Sequence, residues 1–235
     1  MPRGEEYTMY SRLYGLRINP FPSQGSFPVD TKDEPIYAKC YIMDEESKRK
    51  IRIFLDRLIK GSSIPVLFVI ADYGYGKTHF LKYLYYKISE QTNKVFPIYI
   101  KNIDEPKALD LYKAVIDGIY RTFGRDVIMK IAARSSKLSE RERYVLRSLI
   151  PDLVEILPKI SKGNNTAIRW LFAENLSSDE INNLKVIHLI SEKNAVNAIQ
   201  AIVKLIYFTL KRKIVLLIDE LEETIASRER GEIRR

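Results

Sequence analysis

Cysteine occurs once in this chain, at Cys40, so no intrachain disulfide is possible and a reducing compartment fits. Histidine occurs twice, at His79 and His188, too few and too far apart for a zinc-binding pattern. No apolar run approaches a membrane span, and the opening Met1-Pro2-Arg3-Gly4-Glu5-Glu6 has no apolar signal core. The expectation is a cytoplasmic protein with no membrane partner. No Gly-x-Ser-x-Gly elbow or other nucleophile arrangement occurs, nor any repeat period, low-complexity tract or helix-turn-helix. Acids are the minority charge, 30 Asp and Glu against 39 Lys and Arg, for a formal net charge of +9. That balance favours acidic partners such as nucleic acid. With 235 residues, 46% of them hydrophobic, the chain can bury a substantial core, and a single domain with an insertion is expected.

Two motifs carry chemistry. Ala71-Asp72-Tyr73-Gly74-Tyr75-Gly76-Lys77-Thr78 follows the apolar run Ile64 to Ile70, the strand–loop–helix setting of a phosphate-binding loop. Ala71 stands where the usual pattern has its first glycine, but Gly74, Gly76, Lys77 and Thr78 supply the turn and the chemistry. Asp72 through His79 are the expected nucleotide-binding residues, with Lys77 reaching the β- and γ-phosphates and Thr78 ligating Mg2+. The second motif, Lys213 to Glu220, is an apolar run ending in two acids, which reads as a buried parallel strand with carboxylates at its C-terminal edge. Ligands of open parallel sheets bind beyond that edge, so Asp219 is expected to hold Mg2+ and Glu220 to activate water. Catalytic roles therefore fall to Glu220 and Lys77, metal contacts to Thr78 and Asp219, and the cofactors are ATP and Mg2+. The plainer alternatives are a chance Gly-Lys-Thr turn and acids that merely favour the next helix's N-terminus. No Asn-Lys-x-Asp motif reads guanine.

On these residues the chain resembles P-loop ATPases of the AAA+ group. With Tyr73 to Leu81, Trp170 to Leu176 and Leu217 to Glu222, it looks like the ATP-binding proteins of BREX-type phage-defence systems. Gly15 to Phe21 is similar to the lead-in of AAA+ proteins related to replication initiators and to transposition or secretion ATPases. The resemblance implies an α/β P-loop fold of the AAA+/ASCE type, adenine packed near Ile42 to Ile53, and assembly as a homo-oligomer or complex subunit. It also implies a five-stranded sheet whose fourth strand lies between the first and third. Only a charged helix is expected after Glu220, so the core looks truncated beyond the acidic strand, without sensor residue, arginine finger or lid. The expectation is the N-terminal piece of a longer protein; direct pairing of two strands, or a strand from a partner, are the alternatives. Arg228, Arg230, Arg234 and Arg235 receive no catalytic role.

Four segments result: an N-terminal strap and adenine-side helix (1–62), the first part of the core (63–101), a basic helical insertion (102–212), and the acidic strand with its following helix (213–235). A helix is expected over Glu45 to Lys60, capped by Asp44 and stopped by Gly61, another from Lys77 to Glu90, and a second core strand at Val95 to Ile100, with Pro97 marking an edge. In the insertion Pro151, Pro158 and Gly163 are read as helix breaks, Ser177 to Glu180 as a cap, and Asn194 to Leu210 as a helix with Val196, Ile199, Val203, Ile206, Tyr207 and Leu210 inward. Trp170 and His188 read as core. Arg121, Arg125, Lys130, Arg134, Lys137, Arg141, Arg143 and Arg147 face only Asp126, Glu140 and Glu142 over the same stretch, and Lys204, Lys211, Arg212 and Lys213 add a second cluster. Such charge suits non-sequence-specific contact with a nucleic-acid backbone, or simply a solvated face. Three functions follow as expectations: a nucleic-acid-coupled ATPase of a defence or mobile-element system, a nucleotide-gated scaffold with little turnover, and a replication-initiator-like loader.

Overall fold

The computed structural model describes residues 34–61, 65–72, 74–91, 93–103, 105 and 107–220. The strap over 1–33, Tyr73 and the helix expected after Glu220 lie outside the described residues. The chain divides into two compact units, Met1–Lys87 and Ile88–Arg235.

The first unit holds α1 (Glu34–Lys39), α2 (Glu45–Lys60) and most of α3 (Lys77–Gln91). Helix α2 begins and ends where its sequence dictates. The Asp44 carboxylate accepts from the Ser47 amide at 2.8 Å, and Gly61 donates to Arg57 O at 2.8 Å. Ile51, Leu55 and Leu58 form its buried stripe. The expected first core strand differs: residues 65–72 are neither strand nor helix, and Val66, Phe68 and Ile70 are 71%, 75% and 93% exposed. An apolar run supplies side chains for a sheet but not the neighbouring backbone that defines a strand, and no third strand occurs among the described residues.

The second unit is built on a two-stranded parallel sheet. Strand β1 (Val95–Ile100) pairs with β2 (Lys213–Ile218) in a register running from Val95 opposite Lys213 to Ile100 opposite Ile218. Pro97 cannot donate to a ladder, which suits a strand paired on one side only among the described residues. The crossover between the strands is helical throughout: α4 (Ala108–Arg134), a 3-10 turn (Ser135–Lys137), α5 (Glu140–Leu149), α6 (Leu153–Ser161), α7 (Asn165–Leu171), α8 (Ser178–Leu184) and α9 (Ala195–Leu210). Gly124, at φ 73° and ψ 172°, kinks α4 in a conformation that only glycine adopts readily. Two reciprocal capping boxes, Ser139 with Glu142 and Ser177 with Glu180, start α5 and α8. Trp170 is 1% exposed and donates through Nε1 to His188 O at 3.1 Å, so it is core. The Tyr112 hydroxyl donates to Leu171 O at 2.6 Å, and burial pushes its pKa well up.

Three expectations are corrected in this unit. Pro158 lies inside α6; burial of Leu153, Val154, Ile156, Leu157 and Ile160 holds the helix despite the lost backbone donor. The helix ends at Ser161, and the expected break at Gly163 follows, at φ 75°, where Gly163 N donates to Ile160 O and Asn164 N to Lys159 O. On α9 the buried face is Ala195, Ala198, Ala201, Ile202, Leu205 and Ile206, while Val196 and Tyr207 are exposed. That helix is apolar nearly all round, so periodicity does not choose a face; the alanines let neighbouring helices approach. His188 is not core: its side chain is 54% exposed and its Nδ1 meets Asp152 Oδ2 at 3.1 Å.

Helix α4 approaches β1 through Gly118, where a Cβ would lie 2.5 Å from Ile98 Cγ2 and 3.6 Å from Tyr99 O. Alanine favours a helix over glycine by about 1 kcal/mol, but overpacking costs about 1–3 kcal/mol. Gly118→Ala is therefore expected to lower the unfolding free energy in urea, whereas an unchanged or raised midpoint would show that helix and strand part at little cost.

Candidate nucleotide site

In the loop that leads into α3, Gly74 and Gly76 lie in the left-handed region at φ 85° and 79°, with the exposed Tyr75 between them. Alternation of this kind turns successive amides toward one concavity, and Phe80 N donating to Gly76 O at 2.9 Å closes the first turn of α3 behind it. That first turn holds no acid, which favours an anion at the helix terminus. The Lys77 ammonium folds back on its own loop, donating to Ala71 O at 2.8 Å and Asp72 O at 3.3 Å. Thr78 is half-buried in the same turn.

The next residue braces the loop. The His79 Nε2 proton is donated to Tyr37 O at 2.7 Å, and Tyr41 meets the imidazole edge-on with centroids 5.0 Å apart. Deeper along α3, buried Lys82 pairs with buried Glu34 at 3.2 Å, and Tyr86 donates to the same carboxylate at 2.8 Å. Residues 34–41 thus clamp the loop's helix. Burial pushes the His79 pKa below its ordinary 6.5. The folded protein then binds fewer protons than the unfolded chain, so stability from this group is present above about pH 6.5 and falls as pH drops through that value. Thermal unfolding scanned from about pH 8 to about pH 5 is expected to show that decline in the wild type and to lose this component in His79→Gln; coincident profiles would contradict it.

The acid pair stands in the second unit. Asp219 N donates to Ile100 O at 2.9 Å, which extends the parallel ladder one residue past β2 and buries Asp219 to 4% exposure. Its carboxylate is held from both sides: the Tyr99 hydroxyl donates to Oδ2 at 2.8 Å and the Glu220 amide to Oδ1 at 3.0 Å. Glu220 is half-buried, with φ 52°, a left-handed conformation that costs a non-glycine residue about 1–2 kcal/mol. Strain of this kind persists where surrounding structure imposes it, and it clusters at functional sites. Tyr99 escaped the sequence reading; its signal was a polar tip near the C-terminal end of an otherwise apolar strand. The loop belongs to one compact unit and the acid pair to the other.

Residues 55–228 match the family model of the KAP family P-loop domain. This chain belongs to the KAP family. Comparison with curated proteins and with solved structures yields no match. The KAP match places the chain among P-loop NTPases and spans the glycine loop, the helical crossover and the acid pair in one domain, without reaching the finer phage-defence or replication-initiator resemblance.

The basic segment is less unpaired than its own stretch of sequence suggested. Arg121 pairs with Asp117 and Arg147 with Glu155, acids outside that stretch, while Arg143 lies 3.9 Å from Glu140 and Lys211 3.6 Å from Glu142. Arg212 stacks over Phe96 at 4.4 Å.

Proposed function

We propose that this KAP-family chain binds ATP with Mg2+ and hydrolyses it, coupling nucleotide state to a nucleic-acid transaction. The observation that carries the reading is the buried, doubly held Asp219 carboxylate followed by the strained Glu220 at the end of a parallel strand. The residue types fit the cofactors: the glycine loop offers amides and Lys77 for phosphates, and the Thr78 hydroxyl and the Asp219 carboxylate, each in its own unit, are hard oxygens of the kind Mg2+ takes. When bound, Mg2+ supplies positive charge against the phosphate oxygens. Asp72 to His79 line the phosphates, Lys77 neutralises charge on them, and Glu220 orients a water and accepts its proton. The water oxygen bonds to the γ-phosphorus as the bond to the bridging oxygen breaks, giving ADP and phosphate.

The absence of a guanine-reading motif favours ATP, and the net charge of +9 favours a nucleic-acid target. The sequence resemblance suggests phage defence or mobile-element handling in the cytoplasm, with an arginine supplied by a second copy or a partner subunit. Steady-state ATP hydrolysis with and without DNA, using Glu220→Gln as the blank, tests the reading; DNA stimulation lost in the variant is the expected result. A nucleotide-gated switch with little turnover is the second reading, favoured by Lys77 bonding to its own loop carbonyls. ATP binding without turnover, with or without DNA, would select it.

A further inference from the structure

Four cations remain at one corner of the helical crossover once the ion pairs are assigned. Lys130 and Arg134 lie one helical turn apart on the last part of α4, Lys137 ends the 3-10 turn, and Arg141 sits in the first turn of α5. All four are exposed, and none has a side-chain hydrogen bond or ion pair among the described residues. Asp126, one turn before Lys130, makes no ion pair with it. Arg125 is spent on Gly163 O at 3.4 Å. The corner is braced by hydrogen bonds: Ser135 and Ser136 hydroxyls donate to Ala132 O and Ala133 O, the Arg143 guanidinium to Leu138 O and Ser136 O, and the Ser139–Glu142 box caps the start of α5.

Fold stability explains only part of this set. Arg134, at the end of α4, complements a helix dipole, but Arg141 opposes one by standing at the N-terminus of α5. One turn beyond Arg141 on the same helix, Tyr144 is 73% exposed. It is the one large exposed hydrophobic between 125 and 149 among the described residues, so the corner offers no aliphatic side chain for insertion into a bilayer. Four exposed, unpaired cations on successive elements, with a single accessible ring, suit a polyanion that also presents flat faces, which is a nucleic-acid strand with its bases unpaired.

We infer that the corner formed by the end of α4, the 3-10 turn and the start of α5 binds single-stranded nucleic acid, with Lys130, Arg134, Lys137 and Arg141 on phosphates and Tyr144 stacked on a base. The inference rests on the nucleic-acid coupling proposed above and locates it. The test is fluorescence-anisotropy titration of the full chain with a labelled oligothymidylate across a salt series, with binding of a fluorescent ATP analogue measured in parallel. Four phosphate contacts predict a log–log salt slope of about −3, falling toward zero when the four cations are changed to Gln. Tyr144→Ala is expected to weaken binding about tenfold while Tyr144→Phe retains it. ATP-analogue binding should be unchanged in every variant. Oligonucleotide binding that keeps its slope in the quadruple variant would overturn the location and leave the coupling standing. No binding to oligothymidylate or to duplex by a chain that still binds the ATP analogue would overturn both. Tighter binding to duplex, indifferent to Tyr144→Ala, or binding to phosphatidylserine vesicles in place of oligonucleotide, would also overturn it.

Discussion

Glu220→Gln is expected to bind ATP as the wild type does and to turn it over roughly 10²–10⁴-fold more slowly, the range that loss of a general base commonly costs. Glutamine keeps the length of the side chain and its acceptor oxygen but cannot take the proton. The Glu220 amide that donates to Asp219 belongs to the backbone, so the substitution leaves the Asp219 carboxylate held. The left-handed φ of 52° is no more costly for glutamine than for glutamate. Nucleotide binding should therefore survive while ATP accumulates on the protein, visible as retained radiolabelled triphosphate after rapid filtration. Equal loss of binding and turnover would mean that the carboxylate holds nucleotide and does not act on water.

The distinction matters because the two acids are positioned by different means. Asp219 is fixed by the ladder bond to Ile100 O, by Tyr99 and by the following amide, which suits a ligand whose oxygens must stay put. Glu220 lies beyond the last ladder bond, at a left-handed φ of 52°. A buried carboxylate held by two hydrogen bonds beside a half-buried one on left-handed backbone gives two neighbouring acids distinct environments, which is what the separate roles proposed above require.

Local chemistry was legible in the sequence. Asp44 and Ser177 cap the helices that follow them, as their sequence spacing predicts, because a cap is settled within four residues. The glycine loop was legible because left-handed backbone at two positions leaves little choice of residue. Features that depend on distant partners were not. The run over 65–70 has the side chains of a strand without a paired neighbour, and α9 has apolar residues on too many sides for spacing to choose one. Pro158 looked like a break because the burial of α6 around it is a tertiary property. Charge counted within one stretch missed Asp117 and Glu155. Tyr99 could be seen as a polar tip in a strand but not as the partner of Asp219, 120 residues away.

Lys77→Ala is the converse of the glutamine substitution and should separate phosphate binding from everything else the loop does. In the wild type the ammonium is held on its own loop through Ala71 O and Asp72 O. Exchange of those carbonyls for phosphate oxygens replaces dipoles with full negative charges, and a hydrogen bond to a charged group contributes about 1.5–3 kcal/mol. Alanine is then expected to weaken ATP binding about tenfold to a hundredfold. AMP, which does not reach the β and γ positions, should lose little. The glycines keep their conformation without the lysine, because left-handed backbone at Gly74 and Gly76 is allowed by their own geometry. Calorimetric titration of ATP, ADP and AMP into wild type and variant provides the comparison. A selective loss that grows with phosphate number places Lys77 on the terminal phosphates. An equal loss for all three nucleotides would instead make the lysine a strut of the loop, in which case a Lys77→Met substitution would lose affinity for AMP as well.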